Sequence, residues 1–86
     1  MNENWKVMKM DNGREFLSIL HKTDSLETSN AILQKLMPLV IKYKAQYETS
    51  ISLSDENILV TLHGQSTEPI NETDWKLAEE IKLELN

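Results

Sequence analysis

Two stretches of this chain alternate between apolar and polar positions with a period of two, and each is followed by a stretch whose apolar residues recur every three or four. In the first, Trp5 to Met10 alternates weakly, Asp11-Asn12-Gly13 gives a turn signal, and Arg14 to His21 reads as the returning strand. Asn12-Gly13 is suited to the positive backbone angles of a tight hairpin. Leu17 and Ile19 then point one way, while Phe16, Ser18 and Leu20 point the other. In the second stretch, Ile51 and Leu53 alternate with serines, and Ile58, Val60 and Leu62 alternate with Leu59, Thr61 and His63. Asp55-Glu56 between them predicts a type I turn, with Asn57 in the left-handed conformation returning the chain into register.

The helical stretches follow the same logic. Asp24 is expected as the N-cap of the first helix, with Glu27 three residues on as its reciprocal partner. Ile32, Leu33, Leu36, Met37, Leu39, Val40, Tyr43 and Tyr47 then fall in one arc at about 100° per residue. Pro38 interrupts the helical hydrogen bonding from the polar side, which predicts a kinked helix or two abutting pieces. After a loop from Gly64 to Pro69, Asn71 is expected to cap a second helix, with Asp74 as its partner. Trp75, Leu77, Ala78, Ile81 and Leu85 share its apolar face, so Trp75 is expected in the core. The order ββαββα, with both helices seeking one sheet face, predicts an α+β two-layer sandwich built on a four-stranded antiparallel sheet.

The chain of 86 residues has room for one domain, 1–86. Such a chain buries only about 60–65% of its unfolded surface, so self-association is a natural source of extra stability. The second strand, partly apolar on both faces, points the same way. Trp5 near the terminus, with Phe16, Ser18 and Leu20 on that strand, are the candidate interface residues. There is no cysteine, no signal-like leader and no apolar run of membrane-spanning length, which predicts a cytoplasmic protein off the membrane. The net charge of −5 is uneven: residues 1–47 carry +2 and residues 48–86 carry −7. The acidic half repels phosphate, which argues against direct nucleic-acid binding and leaves a basic protein surface as a plausible partner.

Residues able to carry chemistry are few. His21 and His63 sit at strand ends without the converging ligands a transition metal needs, so no metal is assigned. The two glycines, Gly13 and Gly64, lie in turns and make no phosphate cradle. Ser66 stands near His63, but nothing marks it as an activated nucleophile.

The run Ile70-Asn71-Glu72-Thr73-Asp74-Trp75-Lys76-Leu77-Ala78-Glu79-Glu80-Ile81 resembles the closing segment of the pterin-4a-carbinolamine dehydratases. Val60-Thr61-Leu62 resembles that family's third-quarter strand, Arg14 with Phe16 the opening of its long strand, and Ala31 to Tyr43 its long helix. The family's His-His-Pro signature and its later histidine fall here on Tyr47-Glu48-Thr49 and Gln65. The resemblance therefore implies the fold and argues against the dehydration, because imidazoles titrating near neutrality are missing where that reaction needs them. No catalytic residue and no cofactor is assigned. Tyr47, Glu48, His63 and Gln65 remain the candidate lining of any retained pterin pocket.

Three functions are in view: a homo-oligomeric interaction module that has lost the reaction, as the family's habit of association implies; an active dehydratase with substitute groups; and a small acidic inhibitor or immunity-type protein that masks a basic surface with the carboxylates of residues 68–84.

Overall fold

A computed structural model describes residues 5–44, 46–64, 70 and 72–85. The elements run β1 (Lys6–Lys9), β2 (Glu15–Lys22), α1 (Leu26–Lys42), β3 (Tyr47–Leu53), β4 (Asn57–Gly64) and α2 (Glu72–Leu85). The strands form one sheet in the order β1-β2-β4-β3, every neighbouring pair antiparallel. β2 and β3 consequently run parallel with β4 between them, and a parallel return needs a long crossover, which α1 supplies. The expected α+β two-layer architecture is the one observed.

The core lies between the helices and one sheet face. Leu17 and Ile19 of β2 stand opposite Leu62 and Val60 of β4, so all four share the inner side. Ile32 and Leu36 from α1, and Leu77, Ala78, Ile81 and Leu85 from α2, close over them. Burying a side chain of this size is worth about 1.5–3 kcal/mol, so these two central strands hold the fold.

Local details correct several sequence expectations. The N-cap of α1 is Ser25, one residue beyond Asp24, and its Oγ accepts from the Thr28 amide at 3.1 Å. Asp24 instead accepts from the Thr28 hydroxyl at 2.7 Å. α1 is one continuous helix through Pro38, not two pieces. It ends at Tyr43, and Tyr47 belongs to β3, although its amide still bonds the Tyr43 carbonyl at 2.9 Å. In the β3–β4 turn, no non-glycine residue among those described has a positive φ, so Asn57 is not left-handed. Ser54 makes that turn: its Oγ accepts from the Glu56 and Asn57 amides at 3.3 and 3.0 Å. Among the described residues Gly13 alone takes the left-handed form, φ +86°, at the β1–β2 turn where Asn12-Gly13 predicts it. Asn71 and the loop residues 65–69 lie outside the described residues.

The two tryptophans exchange their expected places. Trp5 is 8% exposed, and its indole N–H donates to the Ala78 carbonyl at 2.8 Å, fastening the end of β1 to α2. Trp75 is 41% exposed. On a helical wheel the buried arc of α2 is centred on Asp74, which leaves Trp75 about 100° away, at the flank.

Candidate functional site

The side of the sheet away from the helices has no covering layer among the described residues. Strand pairing sets Met8 opposite Phe16 and Glu48 opposite His63, and continuing the β2–β4 ladder by one residue sets Phe16 beside His63. Met8, Phe16, His63 and Glu48 thus form one row across all four strands. The Phe16 and His63 rings stack at a centroid distance of 4.4 Å with 18° between their planes. A second row runs Lys6, Ser18, Thr61 and Ser50. A third brings Leu20 to Leu59 and Ser52. Leu20 is 51% exposed and Met8 44%. Three of the interface candidates, Phe16, Ser18 and Leu20, therefore lie together on this face. Trp5, buried against Ala78, does not join them, because its indole found a carbonyl partner in the core.

The pocket candidates are divided by the pleat. Tyr47 points inward and is 7% exposed, whereas Glu48 is exposed and shares the outer face with His63. Successive strand residues face opposite ways, so Tyr47 and Glu48 cannot line one pocket. Gln65 lies outside the described residues.

At the open end of the sandwich, the starts of β2 and β3, the end of β4 and the start of α2 converge. The Tyr47 hydroxyl donates there to Asp74 Oδ1. Burial first, and the Asp74 hydrogen bond second, push the Tyr47 phenol well above its ordinary range. An Arg14 guanidinium N–H donates to the Gly64 carbonyl at 2.6 Å nearby. The cavity beside Tyr47, which Glu15, Leu17, Ile70 and Asp74 also line, has about 20 Å³. That is about one water and far too small for a pterin ring system. The Tyr47–Asp74 pair is thus a structural lock. Asp74 escaped sequence reasoning because its place in a capping pattern masked its position at the centre of the buried arc.

No three of His, Cys, Asp and Glu converge on a metal-holding arrangement among the described residues. No described helix is long and apolar enough to cross a membrane. Compared with protein families, with curated proteins and with solved structures, the chain finds no match in any of the three.

Proposed function

We propose that this protein is a non-catalytic interaction module that associates with a second copy of itself through the uncovered face of its sheet. The observation that carries the proposal is a pair of rows on the side of the sheet where no helix packs, Met8, Phe16 and His63 in one and Leu20 and Leu59 in the other, with the polar row of Lys6, Ser18, Thr61 and Ser50 between them.

A two-fold axis lying parallel to the strands would stack β1 of one copy over β3 of the other. Lys6 on the β1 side would then approach Glu48 and Ser50 on the β3 side, which makes the face self-complementary. Strands of 4, 8, 8 and 7 residues, at about 3.3 Å per residue and about 4.8 Å apart, give roughly 430 Å² per copy, or roughly 860 Å² for the pair. Specific interfaces begin near 1,000–1,200 Å², so micromolar rather than nanomolar association is expected.

The likeness to the pterin-4a-carbinolamine dehydratases rests on the quoted residues and the element order. We take it as a likeness of scaffold without the reaction, and a chain free of cysteine suits the reducing cytoplasm, where we place it. Light scattering behind gel filtration, run from low to high micromolar concentration, tests the association. The mass should rise toward a dimer, and Leu20→Glu should hold it at the monomer. A wild-type monomer throughout would sink the proposal. Dehydration of a pterin carbinolamine faster than in buffer would sink its non-catalytic half.

A further inference from the structure

On the helical side of the molecule, away from the sheet face just described, the C-terminal end of α1 and the first half of α2 flank an open groove of about 450 Å³. Tyr43, Trp75, Glu72, Lys76, Glu79 and Glu80 line it. Trp75 presents its indole here, 41% exposed, although the core of a small domain has every use for so large an apolar side chain. Tyr43 is held in place because its hydroxyl donates to Glu80 Oε2 at 2.9 Å. Its ring already attracts one cation, with Lys42 Nζ 5.1 Å from the centroid.

We infer that this groove binds an arginine side chain from a basic segment of a partner protein. Three features of the groove select that occupant. A guanidinium stacks on an indole face better than any other charged side chain, gaining both cation–π attraction and flat contact. Glu72 and Glu79 lie three residues before and four after Trp75, so both carboxylates stand on the same helix face as the indole. A guanidinium over the ring can donate to either while it stays stacked. The charge of the lining has the matching sign, since Glu72, Glu79 and Glu80 stand there against Lys76.

Lys76 is the one cation lining the groove among the described residues. It stands four residues after Glu72 and three before Glu79, the spacing at which it competes for the same carboxylates. An incoming arginine displaces that competition, so removing Lys76 should favour the ligand.

The test is a fluorescence titration of the Trp5→Phe protein, in which Trp75 is the sole indole, with the peptide Gly-Arg-Gly-Arg-Gly at low salt. Saturable quenching or a blue shift is expected, weakened at least about tenfold by Glu72→Gln with Glu79→Gln and strengthened several-fold by Lys76→Gln. Because Trp5 is buried, the same titration is read in the wild-type background by the difference between wild type and Trp75→Phe. The arginine peptide should outbind the lysine peptide of the same length, and raising salt should weaken it steeply. Absence of a Trp75 response, an equal response to Gly-Glu-Gly-Glu-Gly, or undiminished binding in the double Gln variant would overturn the inference. Repeating the titration on Leu20→Glu separates this site from the self-association surface: arginine binding should survive there whether or not the wild type forms dimers.

Discussion

The phenol of Tyr47 donates its proton to the carboxylate of Asp74 and so ties the first residue of β3 to the first turn of α2. This bond joins an edge strand to α2 at the end of the sandwich where the cavity opens. Tyr47→Phe should cost about 1–3 kcal/mol at neutral pH, since Asp74 loses a donor at a partly buried site. The same substitution should change the alkaline limb of stability. The unfolded chain releases the phenol proton near the ordinary value of 10.0, while the folded chain holds it to higher pH. A raised pKa means that the contribution is complete below pH 10 and is lost as pH climbs from there toward the folded value. Urea midpoints measured from pH 8 upward should therefore fall less steeply in Tyr47→Phe than in the wild type. Parallel slopes above pH 10 would remove Tyr47 from the account.

Trp5 and Trp75 predict opposite responses to the same substitution. Trp5→Ala should cost about 3–5 kcal/mol, the range for deleting a buried aromatic. Trp75→Ala should stay within about 0.5–1 kcal/mol, because its indole stands mainly in water. Emission spectra of the two single-tryptophan proteins should show Trp5 blue-shifted relative to Trp75. β1 has no buried residue of its own, every residue from Lys6 to Lys9 being exposed. Loss of the Trp5 indole should thus release the β1 amides to fast hydrogen exchange before any other strand. Uniform exchange across β1 and β2 in Trp5→Ala would show that the hairpin ladder, not the indole, holds the edge.

What the sequence disclosed and what it withheld divide along physical lines. Strand parity is a property of neighbours two residues apart, so Leu17 and Ile19 could be set against Phe16, Ser18 and Leu20 without knowing any partner strand. The Asn12-Gly13 turn and the order of elements are equally local. The strand order β1-β2-β4-β3 is not, and with it went the Phe16–His63 stack, which requires knowing that β2 lies beside β4. Tyr47 continues the apolar spacing of Ile32 to Tyr43 and so reads as part of the first helix; the Tyr43 carbonyl instead accepts from the Gln46 and Tyr47 amides, and the same side chain joins the inner face of β3. Asp74 reads from the sequence only as a cap partner, and its place at the centre of the buried arc becomes visible only once Tyr47 lies across the gap from it.

Ser29 supplies a third prediction. It is fully buried, shares a hydrogen bond with the Thr23 hydroxyl at 2.7 Å, and donates to the Ser54 carbonyl at 2.9 Å. One hydroxyl thus links the start of α1 to the end of β2 and to the β3–β4 turn. Ser29→Ala should cost about 1–3 kcal/mol, the penalty for leaving buried polar partners unsatisfied. Ser29→Val should cost more, since it adds bulk to a filled site as well. Thermal melts read this directly, and an Ala variant as stable as wild type would mean that water replaces the hydroxyl.

Pro38 sets two effects against each other, and their balance decides the sign of a fourth prediction. The proline sits inside α1 on an exposed position, so Pro38→Ala removes little packing and restores an amide for the Gln34 carbonyl. Alanine exceeds proline by about 3 kcal/mol in a regular helix interior. Against this, the freer unfolded chain of the Ala variant returns about 0.4–1 kcal/mol to the denatured state. Closing the restored bond to the Gln34 carbonyl also requires the turn to take regular geometry, which uses part of the gain. A net stabilisation of about 1–2 kcal/mol is expected, visible as a higher urea midpoint with an unchanged slope. Loss of stability would instead mean that the ring fixes the helix path that brings Leu39 and Tyr43 onto the core beyond Leu36. The Tyr43–Glu80 hydrogen bond distinguishes that case, because straightening α1 would draw Tyr43 away from α2 and break it. Adding Glu80→Gln should then cost less in the Pro38→Ala background than in the wild type, whereas equal costs in the two backgrounds would leave the path of α1 independent of the proline.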